Sequence, residues 1–288
     1  MPDHYRHLVV EALRIEATGG LGLHVRRWEG EGRPFLLVHG LASNARMWDG
    51  VAEHLVARGH AVAALDQRGH GLSDKVDDGY DFATVTADLT EVITALGFDR
   101  PVVAGQSWGG NVVMELAARN PELVTGIACV DGGWIDLRRF TSWEECARAM
   151  APPRMTGMAA TEIEAMFRAR REDWPETGIQ GALACFEVRQ DGTVAPWLSY
   201  DRHLMILRSM WEQRIREVWR TVTAPTLLIP CADGSAWGER KRTEVEAAEA
   251  ALSVSRTHWV EAHHDVHAQH PDLVARLLAD AVEDGFFA

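Results

Sequence analysis

Short apolar runs and amphipathic stretches alternate along most of this 288-residue chain. Near the start, Leu8 to Ala17 and Leu21 to Trp28 read as two strands joined at Thr18-Gly19-Gly20, a hairpin. The unbroken apolar run Pro34-Phe35-Leu36-Leu37-Val38 reads as a buried strand and ends in His39-Gly40. Met47 to Arg58 is amphipathic and stops at Gly59, a helix followed by the strand His60 to Asp66. In Phe82 to Leu96 the apolar positions Leu89, Val92, Ile93 and Leu96 share one helical face, and Gly97 ends it. Arg100 to Ala104 is β-branched and apolar, Gly110 to Arg119 has helical spacing, and Leu123 to Val130 is again a buried strand.

After Val130 the alternation breaks. From about Trp134 to Val222 the chain is mostly helical and holds six of the eleven tryptophans, with an Asp191-Gly192 turn marking a hairpin inside it. Trp211, Ile215, Val218 and Trp219 form a stripe at i, i+4, i+7, i+8, the spacing of a packed helix face. Alternation returns with the strand Thr226 to Ile229, a helix from about Trp237 to Leu252, the strand Arg256 to Val260 and a helix from Pro271 to about Val282. This order predicts an α/β fold with a mostly parallel central sheet and helices on both faces. The core domain is expected over 1–133 and 223–288. The insertion 134–222 is expected as a helical lid on the side of the strand C-termini, where ligand crevices form.

Composition narrows the function classes. The net charge of −13 argues against nucleic acid and anionic membrane surfaces as partners. No apolar run approaches the roughly 20 residues that span a bilayer. Met1 to His7 carries no apolar segment of the kind that directs secretion, so a cytoplasmic location is expected. The cysteines Cys129, Cys146, Cys185 and Cys231 are scattered, with no C-x-x-C pair, which suits free thiols. Nothing in the sequence sets an oligomeric state.

The candidate chemistry begins at Gly105-Gln106-Ser107-Trp108-Gly109, which lies between a strand and a helix. A serine on such a turn is held in a strained conformation that the flanking glycines make possible. Its hydroxyl then points out of the sheet at a helix N-terminus, a position that favours negative charge. A base is expected from Glu261-Ala262-His263-His264-Asp265-Val266-His267-Ala268-Gln269-His270, the loop between the last strand and the last helix. His264 is the choice. A zinc site built from His263, His267 and His270 is the rival, but no H-E-x-x-H partner accompanies it, so no metal is expected. Two backbone donors should form an oxyanion hole: the N–H of Trp108 and that of Leu41, in the loop after Phe35–Val38. Gly40 lets that loop approach closely. His39, Gly40 and Trp134 are taken as lining the substrate pocket, with His39 also buttressing its loop.

Four landmarks occur in order: His39-Gly40-Leu41, Asp66-Gln67-Arg68-Gly69-His70-Gly71-Leu72-Ser73, Gly105-Gln106-Ser107-Trp108-Gly109-Gly110, and His264-Asp265-Val266-His267 through Pro271. On these the chain resembles the α/β-hydrolase superfamily from about Leu21 to Arg276, the lid excepted. The resemblance implies a Ser-His-acid triad with Ser107 as nucleophile and His264 as base, no cofactor, and a structural role for Asp66, Arg68 and His70. The acid stays open. Asp233 lies near the usual place after Thr226–Ile229, but Cys231 stands where glycine is expected. Asp131, at the end of the strand before the lid, occupies the other location used in the superfamily. Relatives that use an aspartate nucleophile are disfavoured because Ser107 fills that position. The expected reaction is hydrolysis of a carboxylic ester, thioester or lactone of a hydrophobic small molecule. C–C bond hydrolysis or a lyase reaction on the same triad, or ligand binding with weak turnover, are the alternatives.

Overall fold

The computed structural model describes residues 9–232 and 237–288. The first half runs β1 (Val10–Ala17), β2 (Leu21–Trp28), β3 (Gly32–Val38), α1 (Asp49–Ala57), β4 (His60–Leu65), α2 (Phe82–Ala95), β5 (Val102–Gln106), α3 (Trp108–Arg119) and β6 (Gly126–Val130). Five helices follow, α4 (Trp143–Ala149), α5 (Ala160–Arg170), α6 (Glu176–Leu183), α7 (Tyr200–Glu212) and α8 (Ile215–Trp219), with the hairpin strands β7 (Phe186–Val188) and β8 (Val194–Pro196) between α6 and α7. The chain ends with β9 (Thr226–Ile229), α9 (Trp237–Ala251), β10 (Ser255–Thr257), α10 (Val266–Gln269) and α11 (Pro271–Glu283).

Eight strands form one sheet in the order β1-β2-β4-β3-β5-β6-β9-β10. β2 is antiparallel to both β1 and β4, and every neighbouring pair from β4 onward is parallel. Both faces are covered. In β3, Leu36 and Val38 pack into the cluster with α2, α3 and α9, while Phe35 and Leu37 pack into the cluster with α1 and α11. That is why β3 is apolar without alternation. On α11, Val274, Leu278 and Ala279 are fully buried. Truncating Leu278 to Ala would cost about 2–5 kcal/mol.

Local signals explain most element limits. The Asp81 carboxylate accepts from the Thr84 N–H at 3.0 Å and caps α2. Gly59 (φ 89°) and Gly97 (φ 66°) follow α1 and α2 in the left-handed region. The expected helix from Met47 instead opens with a 3₁₀ turn, Ala45–Trp48, whose cap is Asn44. The final strand stops short of the expected Val260, because past Thr257 only an isolated bridge between Cys231 and Val260 continues the pairing. The Trp211–Trp219 stripe, expected as one helix face, is split between α7 and α8; Ile215 and Trp219 are fully buried, whereas Trp211 and Val218 are half-buried.

The segment between β6 and β9 is tied to the sheet domain by buried and half-buried polar bonds. Trp219 Nε1 donates to Gly133 O at 2.8 Å, and Asn44 Nδ2 donates to Gly181 O at 2.9 Å. Arg202 donates to the carbonyls of Lys75 and Val76 at 2.8 and 2.7 Å. Among the described residues no helix is long and apolar enough to cross a membrane.

Candidate active site

Strand register builds the site. Val38 pairs with Gly105, Gln106 with Val130, and Val130 with Ile229. The C-terminal ends of β3, β5, β6 and β9 therefore lie side by side, with the residues that follow each strand on one rim. Ser107 and Asp131 are stitched to that rim: Ser107 N donates to Val130 O at 3.0 Å, and Asp131 N donates to Ile229 O at 2.9 Å.

Ser107 sits at φ 53°, ψ −119°, between β5 and the first residue of α3. Within residues 101–110 it is the one residue that is not buried. Glycines permit the turn. A Cβ on Gly105 would strike the backbone of Gly109, and one on Gly132 would strike the backbone of Ser107. Positive φ occurs at four non-glycine residues among those described, Ala42 (57°), Arg100 (43°), Ser107 (53°) and Asp131 (44°). Three of the four surround this rim. Such backbone costs about 1–3 kcal/mol per residue and persists where the surroundings over-determine it.

His264 Nδ1 lies 2.6 Å from Asp131 Oδ2. Of the two candidate acids, Asp131 is the one brought to the imidazole; Asp233 lies outside the described residues. Asp131 is deeply buried and accepts from the Cys231 N–H at 2.9 Å. Lys241 Nζ, on α9, donates to both of its oxygens at 2.8 and 2.9 Å and to Cys231 O at 2.7 Å. Burial alone would raise the Asp131 pKa, but the bond to His264, the His264 and Lys241 charges and the Cys231 amide outweigh it, and the net shift is downward. At His264 the protein surroundings press the pKa down. The bond to Asp131 and the charges of Asp265 and Asp131 overcome that and the opposing Lys241, so the imidazole is more basic than the ordinary 6.5. Gln106 Nε2 donates to His264 O at 3.1 Å and anchors its loop beside the serine strand.

The loop after β3 packs against the serine turn. A Cβ on Gly40 would lie 3.1 Å from Ser107 Cβ, so a side chain there would crowd the hydroxyl. His39 is fully buried, with Nδ1 donating to Gly40 O at 2.7 Å and Nε2 accepting from Gln67 N at 3.0 Å. The substrate-facing role expected of His39 is therefore corrected: both nitrogens are engaged inside the loop, and burial lowers its pKa, keeping it neutral. His70 accepts from Ala42 N at 3.3 Å and stacks on Trp108, with centroids 5.6 Å apart. The Trp108 ring is thus committed to the core, which leaves its backbone as its contribution to the rim. Asp66 accepts from Ala45 N, Leu72 N and His24 Nδ1 at 2.7, 2.9 and 2.8 Å. Despite burial, those bonds hold its pKa down to about 2, so it stays charged and braces both loops. Arg68 pairs with Asp88 through two bonds at 2.6 and 2.7 Å.

Two cavities flank the site. One, of about 240 Å³, lies between the loop at Leu41, Ala42 and Ser43 and the inserted segment, with Asp265, the neighbour of His264, on its wall. The other, of about 280 Å³, is lined by Asp131, Trp134, Phe140, Lys241 and His264 among others. Trp134 is therefore brought to the Asp131 side of the pair, while Leu41 faces the inserted segment. Among the histidines of the rival zinc reading, His263 is exposed and His267 is fully buried against Trp48, with centroids 4.5 Å apart. Burial pushes His267 down to about 4. Among the described residues no three His, Cys, Asp or Glu side chains converge on a common point for a metal. Sequence reasoning does not reach Lys241, Gln106 and Gly132 as site residues. Only the rarity of lysine, at two residues, sets Lys241 apart.

Comparison with known proteins agrees with this architecture. A family model described as the alpha/beta hydrolase fold matches residues 33–176. The AB hydrolase superfamily protein YisY of Bacillus subtilis (strain 168) is 26% identical over 210 residues, covering 69% of this chain and 74% of that protein. The 2-(acetamidomethylene)succinate hydrolase of Mesorhizobium japonicum is 27% identical over 212 residues, covering 73% and 74%. A crystal structure of E-2-(acetamidomethylene)succinate hydrolase superposes with a TM-score of 0.75 at 23% identity, covering 96% of this chain and all of that one, a likeness of fold.

Proposed function

We propose, from the premise that this chain belongs to the alpha/beta hydrolase fold family, that it is a serine hydrolase acting through an acyl-enzyme on Ser107. That family supports hydrolase activity; the substrate and the serine mechanism are our reading. The observation that carries it is the 2.6 Å bond between His264 and Asp131, made beside a serine held in a strained, partly open turn.

In this reading Asp131 fixes the His264 tautomer. Nδ1–H is spent on the carboxylate, which leaves Nε2 to take the Ser107 proton. Ser107 Oγ attacks the acyl carbon, and the negative charge that develops on the carbonyl oxygen is met by the N–H groups of Leu41 and Trp108. His264 then returns the proton to the leaving group. Water, deprotonated by the same imidazole, releases the acid and restores Ser107. The insertion 134–222 acts as the lid, and the cavity behind Leu41 takes a small, mainly apolar carboxylic ester, thioester or lactone. The protein is taken to work in the cytoplasm without a cofactor.

A serine-directed fluorophosphonate tests this. It should add once, at Ser107, and Ser107→Ala should abolish both the adduct and ester turnover.

A further inference from the structure

The cavity between Leu41 and the inserted segment is apolar over most of its wall, but three of its groups are not: Ser43, Arg171 and Asp265. Two of these carry buried polar atoms with no hydrogen-bond partner, Ser43 Oγ and Arg171 Nε. The arginine is the more informative. Its guanidinium lies over the rings of Phe167 and Trp174, with centroids at 4.6 and 4.8 Å. The neighbouring Arg168 is saturated by Glu164 and Glu176, but no ion pair among the described residues includes Arg171. Contact with aromatic rings suits a guanidinium and orients it; with Nε shielded, the terminal Nη groups are left as a preset fork at the cavity wall. A buried donor without a partner costs about 1–3 kcal/mol. The matching partner for such a fork is a carboxylate.

The remaining charge supplies a direction. Asp265 adjoins His264 and so stands at the reacting end, whereas Arg171 follows α5 at the inserted end. An anion is repelled from the first and held at the second. We infer that the substrate carries a free carboxylate, read by Arg171 with Ser43 as a supporting donor, so that the cleaved acyl group lies at the opposite end of a short chain. A cavity of about 240 Å³ is small for a ligand site and suits a half-ester or half-thioester of a short dicarboxylic acid. This rests on the hydrolase reading for the bond that is cut, but not for the anion that is bound.

The test is binding to the Ser107→Ala protein, where turnover does not intervene. Calorimetry compares monomethyl glutarate with methyl pentanoate, which has the same acyl length and no charge. Monomethyl glutarate is expected to bind at least about tenfold tighter, with the preference weakened by salt. Adding Arg171→Met should bring the ratio close to one, and Arg171→Lys should recover only part of it. Equal affinities, binding of neither ester, or a preference that survives Arg171→Met would overturn the inference. Because the first comparison needs no change at Arg171, misfolding of that variant does not blunt it. Turnover by the unaltered protein is read separately. Selective binding with no hydrolysis of either ester would sink the hydrolase reading and leave the carboxylate site standing.

Discussion

The rim of the sheet and the wall that faces it are built to opposite standards. At the rim the charged groups and the His39 ring are spoken for: Asp66 accepts three bonds, His39 uses both nitrogens, and Asp131 is shared among His264, Lys241 and the Cys231 amide. Across the cavity, Arg171 Nε is buried with nothing to bond. The rim stores backbone strain at Ala42, Ser107 and Asp131 and is held by the sheet beneath it. The inserted wall is short helices and loops. On the proposed function, the sheet would fix the chemistry, which demands preset geometry, and the insertion would select what enters.

Perturbing the rim should therefore cost rate, and the largest loss belongs to the nucleophile. Ser107→Ala is expected to lower kcat on an activated ester by about 10⁶-fold with the melting temperature little changed, measured as initial rates beside a thermal melt. Asp131→Asn comes next. It keeps the shape but presents the wrong partner to Nδ1–H, and a loss of about 10⁴ in kcat with KM nearly constant is expected. A loss carried mainly by KM would place Asp131 in substrate binding instead.

Stability is the next rung. Asn111 joins α3 to the start of the insertion: its Oδ1 accepts from Gly133 N at 2.9 Å, and its Nδ2 donates to Ile135 O and Gln213 Oε1 at 2.9 and 2.7 Å. Asn111→Ala leaves those buried groups unpaired and should destabilise by about 1–3 kcal/mol, read from denaturant midpoints. The smallest effect expected is a shift in pH profile. His264 must be neutral to act as base, and its pKa lies above 6.5, so kcat/KM should rise with pH through a midpoint above that value. Lys241 opposes the imidazolium, and Lys241→Met should move the midpoint further up; Asp265, Asp131, His267, Glu244 and Arg240 are the other charged or titratable groups nearby. The stability linkage has matching signs. The raised pKa of His264 contributes below its unfolded value and is lost as pH rises through the folded one, whereas the depressed pKa of Asp131 contributes above 3.8 and is lost in acid.

Much of this architecture is legible in the chain's own pattern. β2 and β9 run over the residues their patterns predict, and the Ser107 turn has the strand and helix its motif requires. Such features are local, set by hydrophobic period and glycine geometry. The choice between acids is not local. Asp131 and His264 are 133 positions apart, and only the register of β6 against β9 brings them together. Lys241 reaches Asp131 from α9, and nothing in that helix's sequence signals what its single lysine meets. The Trp108 ring turns inward because His70 offers it a stacking partner, a contact no window of sequence contains. Arg171 reads in the sequence as one of many arginines; what marks it is the absence of a partner, a property of three-dimensional neighbours alone.

The most direct test of the account is fluorophosphonate labelling of the folded protein followed by mass spectrometry across a pH series. One adduct is expected, on Ser107, formed at a rate that climbs with pH through a midpoint above 6.5 and collapses in His264→Ala. An adduct on another residue, or labelling of Ser107 at an undiminished rate without His264, would contradict it.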